Sequence, residues 1–391
     1  MSLAKIAVVL TWACAVLGAG RIPVIDVGAL RTLDINDPAF CSHVQEPAHN
    51  IYDASVNVGF FYVANHGVSN ELLQRIDNIS KHFFALPVEE KKTIDMIYGG
   101  KAWRGYFAVG AEVTSGIPDQ KEGIYFGTEL AANLEDSRPL HGINQWPTGE
   151  LGPQMRDTVL SYMHEMKTLG QLLMRTISCS LNVTDQSFTA QFNNPTELFR
   201  IFNYPPHDEQ FGEKALGVGE HTDYGYLTLL KQDSIGGLQV KDTRTNTWMN
   251  ADPIPGTFVV NLGDALEHAT RGLFKATPHR VEQRRHTTAH RLSMPYFFDP
   301  CFDCEMHHVV PEGFVIPTYP LASSVATTTT TATDSESSTS TASVEPDAAG
   351  VGMYTRWDGA DPTMFTGTYG SYLLRKVSRA FPALFAKHIV G

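Results

Sequence analysis

A histidine and an aspartate two residues apart are the side chains that first indicate chemistry. His221 and Asp223 stand in the stretch GVGEHTDYGYLTLL, at the start of an alternating apolar run. In a β-strand, residues i and i+2 point to the same face, so this imidazole and this carboxylate could grip one metal ion. Taken alone, the pair is more typical of a polar turn, because Asp commonly occupies turns.

A third ligand would decide between these two interpretations. A ferrous centre that activates dioxygen takes two imidazoles and one carboxylate on one face of its octahedron and leaves the other positions open. His279, in KATPHRV at the start of its own β run, is the best candidate for the second imidazole. His268, His286 and His290 are its rivals, and the last two lie in a charged stretch that is typical of a solvated turn.

Further along, the stretch HRLSMPYFFDP carries side chains suited to a carboxylate. Arg291 and Ser293 share one face of a strand, where Arg presents a planar fork that matches a carboxylate and Ser adds a hydroxyl. Inside a barrel this Arg would be an unpaired buried charge unless an anion met it; the alternative is an Arg at the rim beside a structural acid. Tyr204, in IFNYPPH, could add a hydroxyl, with a packed core tyrosine as the alternative.

In their order along the chain, these motifs resemble the iron and 2-oxoglutarate signature of the isopenicillin N synthase-like oxygenase family. That family includes plant flavonoid, gibberellin and ethylene-forming oxidases. The resemblance covers most of residues 21–300 and rests on RIPVIDV, GFFYVANHGV, HFFALPVEEK, NYPP, GEHTDYGYLTLL, GGLQV, VVNLGDALEHATRG, ATPHRV and RLSMPYFF. In addition, TYGSYLLRKVSRAFP is similar to the family's C-terminal helix.

The resemblance implies a double-stranded β-helix, or jelly roll, flanked by helices, with Fe(II) bound at its open end by His221, Asp223 and His279. It also implies that Arg291 and Ser293 hold the distal carboxylate of 2-oxoglutarate, with the tyrosine of NYPP as a helper. The reaction would use O2 to oxidise a small organic molecule by hydroxylation, desaturation or ring closure, with succinate and CO2 as coproducts.

The stretch WRGYFAVGAEVTSGIPDQKEGIYFG, residues 103–127, resembles the region that lines the substrate mouth in this family. Arg104, Tyr106 and Lys121 in this stretch, and Phe298 further on, are candidates for substrate contact. A structural role is the alternative for each of them. The sequence does not indicate the substrate.

Three other functions stay open at this stage. Some members of the family keep the Arg-x-Ser pair and act as Fe(II) oxidases without 2-oxoglutarate. The chain could also be a small-molecule binding protein on the same barrel, or a zinc hydrolase that uses the same three ligands. Zinc hydrolysis needs a general base, for which Glu220 and Glu267 are the nearest acids in sequence.

The elements that position these residues change in character along the chain. VGFFYVANHGV predicts a strand, Ser69 can cap the helix that follows, and a second helix is expected from about Pro153 to Cys179. From about Glu197, short β runs are separated by Gly, Pro, Asn and Asp, which indicates a sandwich or barrel. We therefore predict a mainly β fold with flanking helices, of the α+β class.

Composition shifts divide the chain into five predicted segments. They are a secretory leader (1–20), an N-terminal helical and β region (21–194), the jelly-roll core (195–301), a disordered Thr/Ser-rich insertion (322–350) and a C-terminal helical segment (351–391). An apolar extension on a cytosolic enzyme is the alternative to the leader. Localisation in the secretory pathway, outside the cell or in the cytoplasm depends on that choice.

The net charge and the number of cysteines limit the classes of partner and of fold that the chain could have. The formal net charge of −12 argues against a nucleic-acid footprint, which needs clustered Lys and Arg. Outside the first twenty residues the chain has four cysteines, too few for a disulfide scaffold, although Cys301 and Cys304 could form a local disulfide if the leader directs the chain to an oxidising compartment. We expect a monomer that acts on a small molecule, without a stable membrane span.

Overall fold

The computed structural model describes residues 21–114, 116–130, 138–183, 185–206, 216–282, 289–314, 361–381 and 386–387. The predicted leader, the predicted Thr/Ser-rich insertion and His286 lie outside the described residues. The predicted five-segment division of the chain stays a prediction.

The strands supply both walls of the core. In chain order they are β1 (Val24–Asp26), β2 (Phe60–Ala64), β3 (Gly105–Phe107), β4 (Val113–Thr114), β5 (Ile117–Pro118), β6 (Glu122–Gly127), β7 (Thr196–Tyr204), β8 (Leu216–His221), β9 (Leu227–Gln232), β10 (Leu238–Asp242), β11 (Thr247–Asn250), β12 (Thr257–Leu262), β13 (His279–Glu282) and β14 (Arg291–Asp299).

The helices pack around these strands. They are α1 (Phe40–His43), α2 (Gln45–Asn57), α3 (Asn70–Phe84), α4 (Val88–Lys91), α5 (Leu151–Ser180), α6 (Gln186–Asn193), α7 (Asp264–Ala269) and α8 (Tyr369–Ala380). Short 3-10 turns occupy Gly28–Thr32, Lys92–Ile94, Met96–Tyr98, Gly100–Ala102 and Pro362–Met364. Ser69 caps α3 as predicted, because its hydroxyl accepts the N–H of Leu72 at 3.2 Å.

Two sheets form the core. The larger sheet has the order β1-β2-β12-β9-β14-β7-β6-β3, and the smaller has the order β11-β10-β13-β8. All their pairings are antiparallel except that of β1 with β2. Residues of both sheets line one cavity, which therefore lies between them, as in a jelly roll. The predicted α+β class is confirmed.

Helix α5 covers the outer face of the larger sheet and leaves the inner face for the cavity. Gly170 of α5 faces the ring of Phe298 on β14 so closely that a Cβ at this position would lie 2.4 Å from a ring carbon. Glycine thus lets the helix approach the sheet, and Phe298 is fully buried beneath it. Even-numbered residues at this end of β14 therefore face the helix, and odd-numbered residues face the cavity.

None of the helices in the described part of the chain combines the length and the apolar character needed to cross a membrane. The expected monomeric state stays a prediction.

Two disulfides tie the described chain together. The local bridge that the sequence allowed joins Cys301 to Cys304. A second bridge, which the sequence did not indicate, joins Cys41 of α1 to Cys179 near the end of α5, with Cα atoms 5.3 Å apart across a separation of 138 residues. It fastens the N-terminal segment to the long helix that supports the sheet.

We expect Cys41→Ser to lower the free energy of unfolding by about 2–4 kcal/mol, because the lost cross-link closes a long loop in the unfolded chain. Denaturant titration without reductant measures the loss. Cys304→Ser, which opens only a very short loop, is the control and should cost less. Equal stability of Cys41→Ser and the wild type under oxidising conditions would contradict the prediction.

Candidate active site

The structure brings the three predicted metal ligands together. His221 is the last residue of β8 and His279 the first of β13, and the two stand opposite each other in the antiparallel pairing. Their ring centroids are 4.2 Å apart. Oδ1 of Asp223 lies 3.8 Å from Nε2 of His221 and 3.7 Å from Nε2 of His279. One ligand atom from each residue lies within 4.8 Å of the others, so the three could hold one metal ion.

The geometry differs from the sequence argument in one respect. The i, i+2 spacing placed His221 and Asp223 on one strand, but β8 ends at His221 and β9 begins only at Leu227. Asp223 therefore lies in the connection between the strands, where its backbone carbonyl accepts the N–H of Asp264 at 2.8 Å. The alternating run that follows packs into the larger sheet and carries neither ligand.

Backbone carbonyls orient both imidazoles. Nδ1 of His221 lies 2.8 Å from the carbonyl oxygen of Gly219, and Nδ1 of His279 lies 3.1 Å from that of Thr277. A carbonyl can only accept, so each Nδ1 donates and each Nε2 keeps a lone pair for a metal. Burial, together with the neighbouring His221, lowers the pKa of His279 to about 4, so this ring is neutral at physiological pH.

The carboxylate of Asp223 is held by one oxygen and open at the other. Oδ2 accepts hydrogen bonds from the Thr228 hydroxyl and from the Asn261 amide, the latter at 2.8 Å. Oδ1 is therefore left to face the two imidazoles and a metal ion. Burial by itself raises the pKa of Asp223, but the two histidines and these hydrogen bonds hold it below its usual value. The site thus presents a charged carboxylate, as a divalent cation requires.

Arg291 presents an unpaired fork to the same cavity. Its Nε donates to the carbonyl oxygen of Gly236 at 2.6 Å, whereas both Nη atoms are buried without a hydrogen-bond partner among the described residues. Ser293 and Tyr204 line the cavity with it, and the Tyr204 ring centre lies 4.7 Å from the guanidinium carbon. A buried guanidinium in this state fits a carboxylate ligand.

The cavity has a volume of 370 Å³, which is within the range of small-molecule sites. Sequence reasoning missed several charged residues that line it, namely Glu112, Glu197, Arg200, Asp299, Lys376 and Arg379. The alternation of side chains along a strand could have predicted two of them. Arg200 shares a face of β7 with Tyr204, and Asp299 shares a face of β14 with Ser293. Of the predicted substrate contacts, Lys121 does line the cavity.

The other three predicted substrate contacts do not line the cavity. Phe298 has the wrong parity on β14 and packs against α5. Arg104 donates to the carbonyl oxygens of Thr128, Gly142 and Leu140, at 2.9, 2.8 and 3.2 Å, and so ties loops together.

Tyr106 donates its hydroxyl to Glu122 at 2.6 Å, and Lys91 lies 2.8 Å from the same carboxylate. The Tyr106 hydroxyl is thus engaged in a buried network within the protein, and Tyr106 does not line the cavity. The structure thus corrects the assignment of Tyr106, as it does those of Arg104 and Phe298, to a structural role.

The rivals of His279 have other partners. Nδ1 of His268 lies 2.9 Å from the carbonyl oxygen of Pro362, and Nδ1 of His290 lies 3.2 Å from the Asn203 amide oxygen. Neither histidine lines the cavity.

Comparisons with known proteins agree with this geometry. Residues 22–149 match the family model described as non-haem dioxygenase in morphine synthesis N-terminal, and residues 195–300 match the 2OG-Fe(II) oxygenase superfamily. The chain is 40% identical over 356 residues to a probable iron/ascorbate oxidoreductase of Dictyostelium discoideum, an alignment that covers 85% of this chain and 88% of the relative.

Two further similarities extend over most of the chain. A 1-aminocyclopropane-1-carboxylate oxidase of Dictyostelium mucoroides is 32% identical, with 93% of this chain and 95% of the relative covered. A full-length Neurospora crassa protein whose crystal structure holds alpha-KG and thymine is 28% identical, with a TM-score of 0.62 and coverage of 75% of this chain and 90% of that chain.

We expect Thr228→Val to weaken metal binding about tenfold or more, because Asp223 loses a donor that orients its carboxylate. Titration of the purified protein with Fe(II) under anaerobic conditions measures the dissociation constant. Thr257→Val is the matched control, since the Thr257 hydroxyl donates to the carbonyl oxygen of Ile254 at the start of β12, away from the ligands. Equal metal affinity in the two variants would show that the Thr228 hydroxyl does not orient the ligand.

Proposed function

Since the chain belongs to the 2OG-Fe(II) oxygenase superfamily and is an Fe(II)/2-oxoglutarate-dependent dioxygenase, we propose a role for each residue of its site. His221, Asp223 and His279 hold the iron. Arg291 and Ser293 receive the distal carboxylate of 2-oxoglutarate, and Tyr204 supports them. The enzyme oxidises a small organic molecule by hydroxylation, desaturation or ring closure.

One observation supports this assignment most directly. The buried guanidinium of Arg291, whose Nη atoms have no hydrogen-bond partner among the described residues, lines the same cavity as the His–Asp–His set, whose Nε2 and Oδ1 atoms converge. An unpaired buried charge is costly, and an anionic cosubstrate would offset that cost. The donor set fits Fe(II), because two imidazoles and one carboxylate leave positions open for other ligands.

When held by His221, Asp223 and His279, Fe(II) would supply the activation of dioxygen that couples 2-oxoglutarate decarboxylation to the oxidation of a substrate C–H bond. The chain's own residues bind and orient the reactants. The carbonyls of Gly219 and Thr277 keep both imidazoles turned toward the metal, and Thr228 and Asn261 fix the carboxylate. The enclosing apolar side chains, among them Leu238 and Val281, exclude water from this end of the cavity.

The two acids that the sequence offered as general bases for a zinc hydrolase are engaged elsewhere. Glu220 lies 2.9 Å from the ammonium of Lys241, and Glu267 accepts the N–H of Ala276 at 2.8 Å. Neither carboxylate lines the cavity, so neither is placed to activate a water at the metal.

Arg291→Gln should raise the apparent KM for 2-oxoglutarate by about ten- to a hundredfold, because the amide cannot form two charge-assisted hydrogen bonds. Steady-state succinate formation at varied 2-oxoglutarate measures this change, and Fe(II) affinity should stay as in the wild type. Arg280→Gln is the matched control on β13, where Arg280 stacks on Trp248 with a separation of 4.1 Å. An unchanged KM in Arg291→Gln would remove the residue from the cosubstrate site.

Asp223→Ala should abolish iron binding and turnover while the fold is kept, because only two imidazoles then remain for the metal. Anaerobic Fe(II) titration and circular dichroism test the two statements separately. In the wild type, succinate release should match O2 uptake one to one once a substrate is supplied. Oxygen uptake without succinate would contradict the use of 2-oxoglutarate, and normal activity of Asp223→Ala would contradict the ligand set.

A further inference from the structure

The cavity has a second cationic position, far from the fork of Arg291. Arg200 and Tyr204 face the cavity from the same side of β7, and four residues of extended strand separate them by about 13 Å. Arg291 pairs with Tyr204 in the strand register, so Arg200 belongs to the opposite end of the cavity. It is not placed to hold the cosubstrate carboxylate that Arg291 would receive.

Aromatic rings hold the Arg200 side chain in position. Its guanidinium carbon lies 4.1 Å from the ring centre of Tyr125 and 4.9 Å from that of Phe297. Such stacking fixes the plane of a guanidinium while its edge N–H groups stay available.

The described residues leave most donors of Arg200 unused. Its hydrogen bond is a long one, 3.4 Å from Nη1 to Oε1 of Glu112, and its Nε is buried without a partner. Glu112 has closer partners, since Lys121 lies 2.7 Å from Oε2 and the Tyr125 hydroxyl donates to Oε1 at 2.7 Å. Arg200 is therefore an incompletely paired cation at the cavity wall.

Helix α8 adds positive charge at the mouth. Lys376 and Arg379 line the cavity, and α8 carries these two cations and Arg375 but no Asp or Glu. Lys376 lies 3.2 Å from Asp264, whereas Arg379 has no ion-pair partner among the described residues. In a chain with a net charge of −12, a mouth rimmed by cations favours the entry of an anion.

Two further acids that line the cavity, Glu197 and Asp299, have hydrogen-bond partners of their own. Glu197 accepts from the Tyr296 hydroxyl at 2.6 Å and lies 3.0 Å from the Lys167 ammonium. Asp299 accepts a hydrogen bond from the Tyr369 hydroxyl.

We propose that the substrate is a small organic acid whose carboxylate is bound by Arg200, with Arg379 as a second cation at the mouth. This inference rests on the proposed function, because the bound acid must reach the proposed iron ligands, which line the same cavity. The bound acid then extends from Arg200 toward His221, Asp223 and His279, and the C–H bond that is oxidised lies away from the carboxylate. The 370 Å³ must also hold 2-oxoglutarate, so the acid is small.

The test measures binding to the anaerobic enzyme loaded with Fe(II) and 2-oxoglutarate. The probes are matched pairs of a carboxylic acid and its primary amide: hexanoate and hexanamide, phenylacetate and phenylacetamide, indole-3-acetate and indole-3-acetamide, and free amino acids with their amides. The readouts are the thermal shift and the change in the visible absorption band that 2-oxoglutarate gives with the iron. We expect at least one acid to bind at least tenfold more tightly than its amide.

Variants assign this preference to Arg200. In Arg200→Gln the preferred acid should bind at least tenfold more weakly, so that acid and amide become nearly equal, whereas the 2-oxoglutarate band and its titration midpoint stay unchanged. An unchanged band also shows that the variant is folded. Arg200→Lys should recover part of the preference, and Arg379→Gln should lose less of it. Arg375→Gln is the control, since Arg375 stacks on Phe365 outside the cavity and should bind as the wild type does.

The outcomes separate the two proposals. A normal 2-oxoglutarate band with no acid bound better than its amide, or with acid binding unaffected by Arg200→Gln, overturns the substrate class and leaves the iron and cosubstrate assignment standing. A wild-type enzyme that binds Fe(II) but gives no band with 2-oxoglutarate overturns both.

Discussion

The antiparallel pairing of β8 with β13 is the constraint on which the rest of the site depends. It sets His221 opposite His279, and a slip of one residue would turn one imidazole to the other face of the sheet. The register shifts directly after this pair, between His279 and Val281 and again between Val281 and Glu282, and such irregularities bend a strand pair locally. Asp223 completes the set from outside the strands, and Thr228 and Asn261 of the larger sheet hold it. The site therefore joins the two sheets at one end.

The buried polar groups are of two kinds: those whose hydrogen bonds are completed within the protein serve the fold, and those with unused donors are available to a ligand. The buried network of Lys91, Glu122 and Tyr106 pairs each charge within the protein, and it serves the fold. Arg291 and Arg200 are buried or half-buried with donors unused among the described residues, which costs stability that the surrounding apolar core must supply. A ligand bound in the cavity can accept hydrogen bonds from these unused guanidinium donors.

Much of the iron site could be predicted because its residues are tied to short motifs whose spacing has a geometric meaning. The three proposed ligands and the Arg291 fork were predicted in this way, and the structure brings them together around one cavity. The placement of Asp223 on a strand was wrong because spacing alone cannot tell a strand from the turn that ends it. Phe298 was misassigned although the parity that links Arg291 to Ser293 already excludes it from the cavity face.

Contacts that depend on packing between distant segments could not be read from the chain. Arg104 and Tyr106 stand in the stretch expected at the substrate mouth, but loop carbonyls and Glu122 engage them. The bridge from Cys41 to Cys179 joins positions 138 residues apart, and no local pattern indicates which cysteine meets which. The cations of α8 likewise reach the cavity only through the way in which the last helix docks.

Because α8 follows the other cavity-lining segments in the sequence, the parts of the cavity are synthesised in a fixed order. A chain is made from its N-terminus, and segments fold as they become available. The three converging side chains, the Arg291 fork and Arg200 all precede residue 300, whereas the cavity-lining side chains from Leu373 to Phe381 follow them in the chain. The proposed iron and cosubstrate residues, and Arg200 with them, are therefore synthesised before α8, and the cavity gains the part of its wall that α8 supplies only after that helix has been made.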